Sequence, residues 1–348
     1  MKIRAYLFLI IIGFFFIACD KKENIKIEKQ SGNGVFIVNE GNFSWGNASL
    51  SFYNIDSNKI YNDVFFEANG APLGDVAQSM GIIDSVGYIV VNNSGKIYAI
   101  NTSNYKYIGK ITGLTSPRYI QIISKSKAYV SDLYDKSIAI INPLSLTIIG
   151  HITANHTTEK MIMLDSLVFA TCWSKDNKVI VVNSNLDQCI DSIAVGNQPN
   201  SLVLDKNKKL WVLCDGGFQG GTIPKEKATL IRINTGNFEI EQTLTFQNIG
   251  DSPTELNINT SGDTLYFINK DVYRMSIESN NLPLNSLIAA NGKLFYGLAI
   301  NSLKSNLFIS DAVDYLQQGF VYRYNLNGEL ISSFKTGVIP GAFCFSSN

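Results

Sequence analysis

A chain of 348 residues with 29 Lys+Arg and 29 Asp+Glu carries no formal net charge, so it has no broad field for gripping nucleic-acid phosphates. With 45% hydrophobic and 17% charged residues, and 27 Gly but only 8 Pro, the composition is globular and excludes a disordered, collagenous or coiled-coil protein. Length alone suggests about two domains, but a repeat can hold a larger single unit together, so the repeat decides the count.

Lys2 and Arg4 precede an apolar run from Ala5 to Ala18, which is short for a membrane span and fits a secretory leader. The run ends Phe16-Ile17-Ala18-Cys19 and resembles a bacterial lipobox, with Phe16 where that pattern prefers Leu. The resemblance implies cleavage before Cys19 and lipidation at Cys19, so residues 1–18 are expected to be a lipoprotein signal peptide. A plain signal peptide is the alternative. Residues 19–33, DKKENIKIEKQSGN after the cysteine, have little to bury and read as a flexible tether.

From residue 34 to 348 a single pattern recurs. Short runs opened by an aromatic, Phe36, Tyr88, Tyr129, Phe169, Trp211, Tyr266 and Phe308, are each followed by a loop and a second run ending at Asn54, Asn101, Asn142, Asn183, Asn234, Ser276 and Asn325. The ends are spaced by 41 to 51 residues. Alternation by two excludes helical repeats, and a period of about 40–50 built from strands predicts an all-β, seven-bladed β-propeller of four-stranded antiparallel blades. Inner strands are expected before the first runs, as in Pro117-Arg118-Tyr119-Ile120, Pro199-Asn200-Ser201-Leu202 and Pro253-Thr254-Glu255-Leu256. The first unit lacks one, whereas Pro340-Gly341-Ala342-Phe343-Cys344-Phe345 is left over at the other end. The C-terminal strand is therefore expected to join the N-terminal blade and close the ring.

In such a ring the loop between a blade's second and third strands shares a face with the connection to the next blade. On that face the sequence places Phe43 and Trp45 in the Asn39–Ser49 loop, Tyr134, Trp173, Phe218 within GGFQGG, and Tyr315. Aromatic groups on a wetted face are candidate ligand anchors. Asn39, Glu40, Asn42, Asn92, Arg118, Asp132 and Asp215 are candidate polar partners, with turn chemistry the alternative for the Asn and Asp residues. No catalytic residue and no metal site are expected. His151 and His156 are the only histidines, GGFQGG lacks the ending of a phosphate loop, and no compact oxygen-ligand spacing is present. Four cysteines remain after Cys19, without a CxxC pair. Cys172 and Cys214 fall at equivalent repeat positions, which puts them on separate sheets and leaves a disulfide as the lesser alternative.

The phrase VNEGNFSWGNASLSFYN followed by these repeats resembles the YncE-like propeller lipoproteins of Bacteroidetes, including BtuG-type cobalamin-binding surface proteins. That resemblance implies a non-enzymatic, lipid-anchored protein of the outer membrane, exposed at the cell surface, which captures cobalamin or a related corrinoid and passes it to a TonB-dependent transporter. Cobalamin would be cargo rather than cofactor. The alternatives are a propeller enzyme, lactonase-like or quinone-dependent dehydrogenase, and an adhesin without a small-molecule ligand.

Overall fold

The alternation read from the repeats folds as strands throughout. The computed structural model describes residues 33–346 apart from Gln219, Thr222 and Ile223. The expected leader, the lipidation site Cys19 and all of the tether except Asn33 lie outside the described residues. Seven antiparallel sheets follow one another as blades of a propeller; six have four strands, and in five of those the strands pair in sequence order. The exception to simple order is the first blade, where Pro340–Ser346 lies inside Gly34–Asn39. Gly34 faces Ser346 and Val38 faces Ala342, so the last strand supplies the inner position that the first repeat lacks.

The outer edges vary. In the first blade the outer strand is only Lys59–Tyr61, and a short helix, Val64–Asn69, buries Val64, Phe65 and Ala68 beside it. In the sixth blade three strands, Thr254–Ile258, Thr264–Asn269 and Asp271–Ser276, are completed by a lone bridge from Val272 to Ile288. No helix of the described residues is long and apolar enough to cross a membrane.

The core is divided as the ring requires. Seven hydrophobic clusters each sit between neighbouring blades, and each contains one of the seven repeat aromatics: Phe36, Tyr88, Tyr129, Phe169, Trp211, Tyr266 and Phe308. None of these side chains is more than 3% exposed, and burying each contributes roughly 1.5–3 kcal/mol. Their polar ends are satisfied where they reach an acceptor: Trp211 Nε1 donates to Asp205 at 2.9 Å and the Tyr88 hydroxyl to the Pro143 carbonyl at 3.1 Å. The cluster joining blades one and seven also contains Phe343 and Phe345, so ring closure is a packing event as well as a pairing one.

Cys172, Cys189, Cys214 and Cys344 are all free thiols. Cys172 and Cys214 end the second strands of blades four and five, on separate sheets as their repeat positions imply. His151 lies in the outer strand Thr147–Thr153 and faces solvent.

Candidate functional site

Each inner strand starts at the loop face, so the first residues of the inner strands meet around the propeller axis. The inner strands Ala77–Ile83, Pro117–Ser124, Met161–Leu164, Pro199–Leu204, Thr254–Ile258 and Phe295–Asn301 bring, at or just before their starts, Gln78, Arg118 with Tyr119, Glu159 with Lys160, Asn200, Glu255 and Tyr296. Blade one contributes Glu40, directly after its second strand. All seven blades thus hand polar groups to the axis.

These groups are paired. Arg118 Nε lies 2.9 Å from both Glu159 carboxylate oxygens, and its Nη1 donates to Gln78. Lys160 Nζ sits 2.8 Å from both oxygens of Glu255 and 5.8 Å from the centre of the Tyr119 ring. The Tyr296 hydroxyl donates to Glu40 at 3.0 Å. Gly341 lies against them: a Cβ there would stand 2.3 Å from Glu40 Oε1, so the Glu40 side chain would have to shift.

Burial sets the proton affinities. Removal from water raises the Glu40 carboxyl from an ordinary 4.5 to about 7, against the opposing effects of the Tyr296 hydrogen bond and the Arg118 charge. Burial also raises Glu159, with Arg118 pulling the other way. For Arg118 burial favours loss of the proton, but Glu159, Tyr119 and Glu40 together more than offset it and the guanidinium stays charged. The floor of the face is therefore two fixed ion pairs and one carboxyl able to exchange a proton near neutrality.

Around this floor stands a rim of the expected aromatics. Phe43, Trp45, Tyr134, Phe218 and Tyr315 are between 42% and 71% exposed. Tyr315 bridges rim and axis: its ring meets Tyr296 edge-on at 5.8 Å, and its carbonyl accepts from Asn42 Nδ2 at 2.6 Å. Trp173 is partly covered, and its indole N–H donates to Asp215 Oδ2 at 3.0 Å. Burial raises the Asp215 carboxyl, opposed by that Trp173 bond.

Of the polar candidates from sequence, Glu40 and Arg118 meet at the axis. Three others are committed to the fold instead. Asn39 is fully buried, giving its amide N–H groups to Ser49 and Ser51 and taking bonds from Thr336 and Gly337. Asn92 donates to Ser116 and the Pro117 carbonyl. Asp132 accepts from the backbone of Ser116, Tyr134 and Asp135, the turn chemistry weighed as its alternative. Sequence reasoning missed Gln78, Tyr119, Glu159, Lys160, Glu255 and Tyr296. The available signal was a charged, amide or hydroxyl group at the head of an inner strand, where packing alone would not put one.

The chain matches, over residues 33–344, the family described as "Domain of unknown function (DUF5074)". It belongs to the DUF5074 family. No curated protein matches this DUF5074 chain. Among solved structures, a quinoprotein alcohol dehydrogenase-like protein of Bacteroides thetaiotaomicron superposes with a TM-score of 0.69 at 16% identity, covering 90% of this chain and 79% of the other. A protein of Lactobacillus plantarum gives 0.69 at 11% identity, covering 91% of this chain and all of its own 100%. The periplasmic gluconolactonase of Pseudomonas aeruginosa gives 0.67 at 11% identity, with 91% and 99% covered. Identities this low show a shared fold, and the DUF5074 propeller shares it.

Proposed function

We propose that the loop face of this DUF5074 propeller captures a large amphipathic small molecule, cobalamin or a related corrinoid, and that a lipid anchor at Cys19 holds the protein at the outer membrane, where it delivers the cargo to a TonB-dependent transporter. The observation that carries the reading is the ring of exposed aromatics around a polar axis. A corrinoid is broad, with apolar edges and peripheral amides, so the rings cover its edges while the axial and rim polar groups answer the amides. The NEGNF phrase, whose Phe43 stands exposed on this rim, supports the choice of corrinoid through the family it resembles.

Titration calorimetry and absorbance with cyanocobalamin test it. Saturable binding is expected, weakened by about 1–3 kcal/mol in each of Trp45→Ala, Trp173→Ala and Phe218→Ala. Absence of heat and of spectral change with folded protein sinks the corrinoid assignment, and binding indifferent to all three substitutions moves the site off this face.

A second reading is favoured by one observation, the Glu40 carboxyl poised to about 7 between Arg118 and Tyr296. A group with that proton affinity suits general acid–base catalysis near neutral pH, and lactone opening would be the reaction by analogy with the gluconolactonase neighbour. Hydrolysis of a sugar lactone by the parent and its loss in Glu40→Gln would support it; equal rates in both proteins would reject it.

A further inference from the structure

The blade-four end of the loop face holds a group of donors that no spacing in the sequence announces. Cys172 ends the strand Leu167–Cys172, Asp176 lies in the turn that leads to Lys178–Asn183, and His156 belongs to the connection arriving from blade three. One nitrogen of His156, the sulfur of Cys172 and one oxygen of Asp176 all lie within 4.8 Å of one another. His156 Nδ1 and Asp176 Oδ2 are already 2.6 Å apart.

We infer that His156, Cys172 and Asp176 bind a single divalent cation of borderline softness, Zn²⁺ by the chemistry of its donors. An imidazole, a thiolate and a carboxylate form the mixed N, S, O set that zinc accepts and that magnesium or calcium does not. Metal–ligand lengths of 2.0–2.3 Å place donors about 3.4–3.8 Å apart in a tetrahedron, so closure asks for side-chain rotations of roughly an ångström. The fourth position goes to water. As the metal–sulfur bond forms, the Cys172 proton leaves to solvent, and the thiolate and carboxylate together balance the ion's two charges.

The backbone beside two of the donors, Cys172 and Asp176, is already fixed. The Asp176 carbonyl accepts from Gln198 N at 2.8 Å, the Asn177 carbonyl accepts from Val195 N at 2.9 Å, and Thr171, next to Cys172, exchanges backbone bonds with Glu159 and Lys160. His156 and Asp176 keep 29% and 22% of their side-chain surface in solvent, which gives an ion a way in, while Cys172 forms the closed inner end. Blade five provides a control built into the molecule. Cys214 occupies the equivalent strand end, yet among the described residues it belongs to no three-ligand group.

Titrating the reduced, metal-free full domain with Co²⁺ tests the site, because a thiolate bound to cobalt gives an intense near-ultraviolet charge-transfer band. One equivalent is expected to produce the band, and Zn²⁺ to displace it. The band should persist in Cys214→Ala, vanish in Cys172→Ala, and need at least about ten times more cobalt in His156→Gln and in Asp176→Asn, substitutions at partly exposed loop positions outside the core clusters. A folded parent that develops no band overturns the inference. So does a band that survives in Cys172→Ala, or affinity unchanged in both His156→Gln and Asp176→Asn. The outcome is independent of whether a corrinoid binds.

Discussion

The axis and the rim lie on one face of the propeller, yet they are built on opposite terms. At the axis, carboxylates and cations are withdrawn from water and survive there because each has a partner: Arg118 with Glu159 and Gln78, Lys160 with Glu255, Glu40 with Tyr296. On the rim, Phe43, Trp45, Tyr134 and Phe218 stand in solvent with little holding them. Desolvated charges cost several kcal/mol each unless paired, whereas an exposed ring costs the fold almost nothing. The axis is therefore expected to be intolerant of single changes and the rim free to vary.

Removing the closing strand should have the largest effect, because it undoes the frame on which both regions rest. Deleting residues 340–348 strips blade one of its inner strand, uncovers Val35 and Ile37, and takes away the Gly341 backbone that shields Glu40. The loss is expected to exceed a typical domain stability of about 5–15 kcal/mol, so cooperative thermal unfolding should disappear. A truncated protein that melts like the parent would refute ring closure.

Breaking one axial pair comes next. Arg118→Ala leaves the Glu159 carboxylate buried without its cation and is expected to cost about 3–5 kcal/mol in denaturant unfolding. A cost below about 1 kcal/mol would mean that the axis is wetter than its geometry implies.

Glu40 should do the reverse. Its folded proton affinity is raised to about 7 from 4.5, so its favourable contribution is fully present below about 4.5 and is lost as the pH climbs through 7. Glu40→Gln keeps the acceptor for Tyr296 but cannot ionise. The variant should be more stable than the parent at pH 8, by up to about 3 kcal/mol, with the gap closing towards pH 4. A gap that does not change with pH would place Glu40 in water.

The smallest effect is expected on the rim. Tyr134→Ala should move stability by no more than about 0.5 kcal/mol, and the same melting experiment checks it. A larger change would make that ring a packing group and remove it from the candidate ligand anchors.

The legible and illegible parts of the molecule divide along the same line. Seven buried aromatics on a regular period and an unused strand at Pro340 were enough to read the propeller and its closure, since strand alternation and edge pairing are local or countable. The rim was legible for a related reason: Trp45 and Phe218 lie in loops too long for hairpins, where a large apolar group has no core to serve. The axis was not legible, because Gln78, Glu159, Glu255 and Tyr296 are single residues from different blades, separated by whole repeats and joined only by closure. Asn39 misled for the opposite reason. Its neighbours along the chain suggested a surface loop, while its bonds run to Thr336 and Gly337 from the other end of the sequence. His156 and Cys172 escaped notice because their approach depends on the geometry of one blade junction.

The register of the closing strand also fixes how the molecule can be held. Asn39 and Pro340 mark the end of their pair nearest the loops, and Gly34 and Ser346 mark the other end, so both ends of the fold emerge side by side on the side turned away from the aromatic rim. A leash, fusion partner or immobilising tag attached through either end becomes a handle behind the propeller. The rim then faces outward, with the full width of the disc between it and whatever the handle is fixed to.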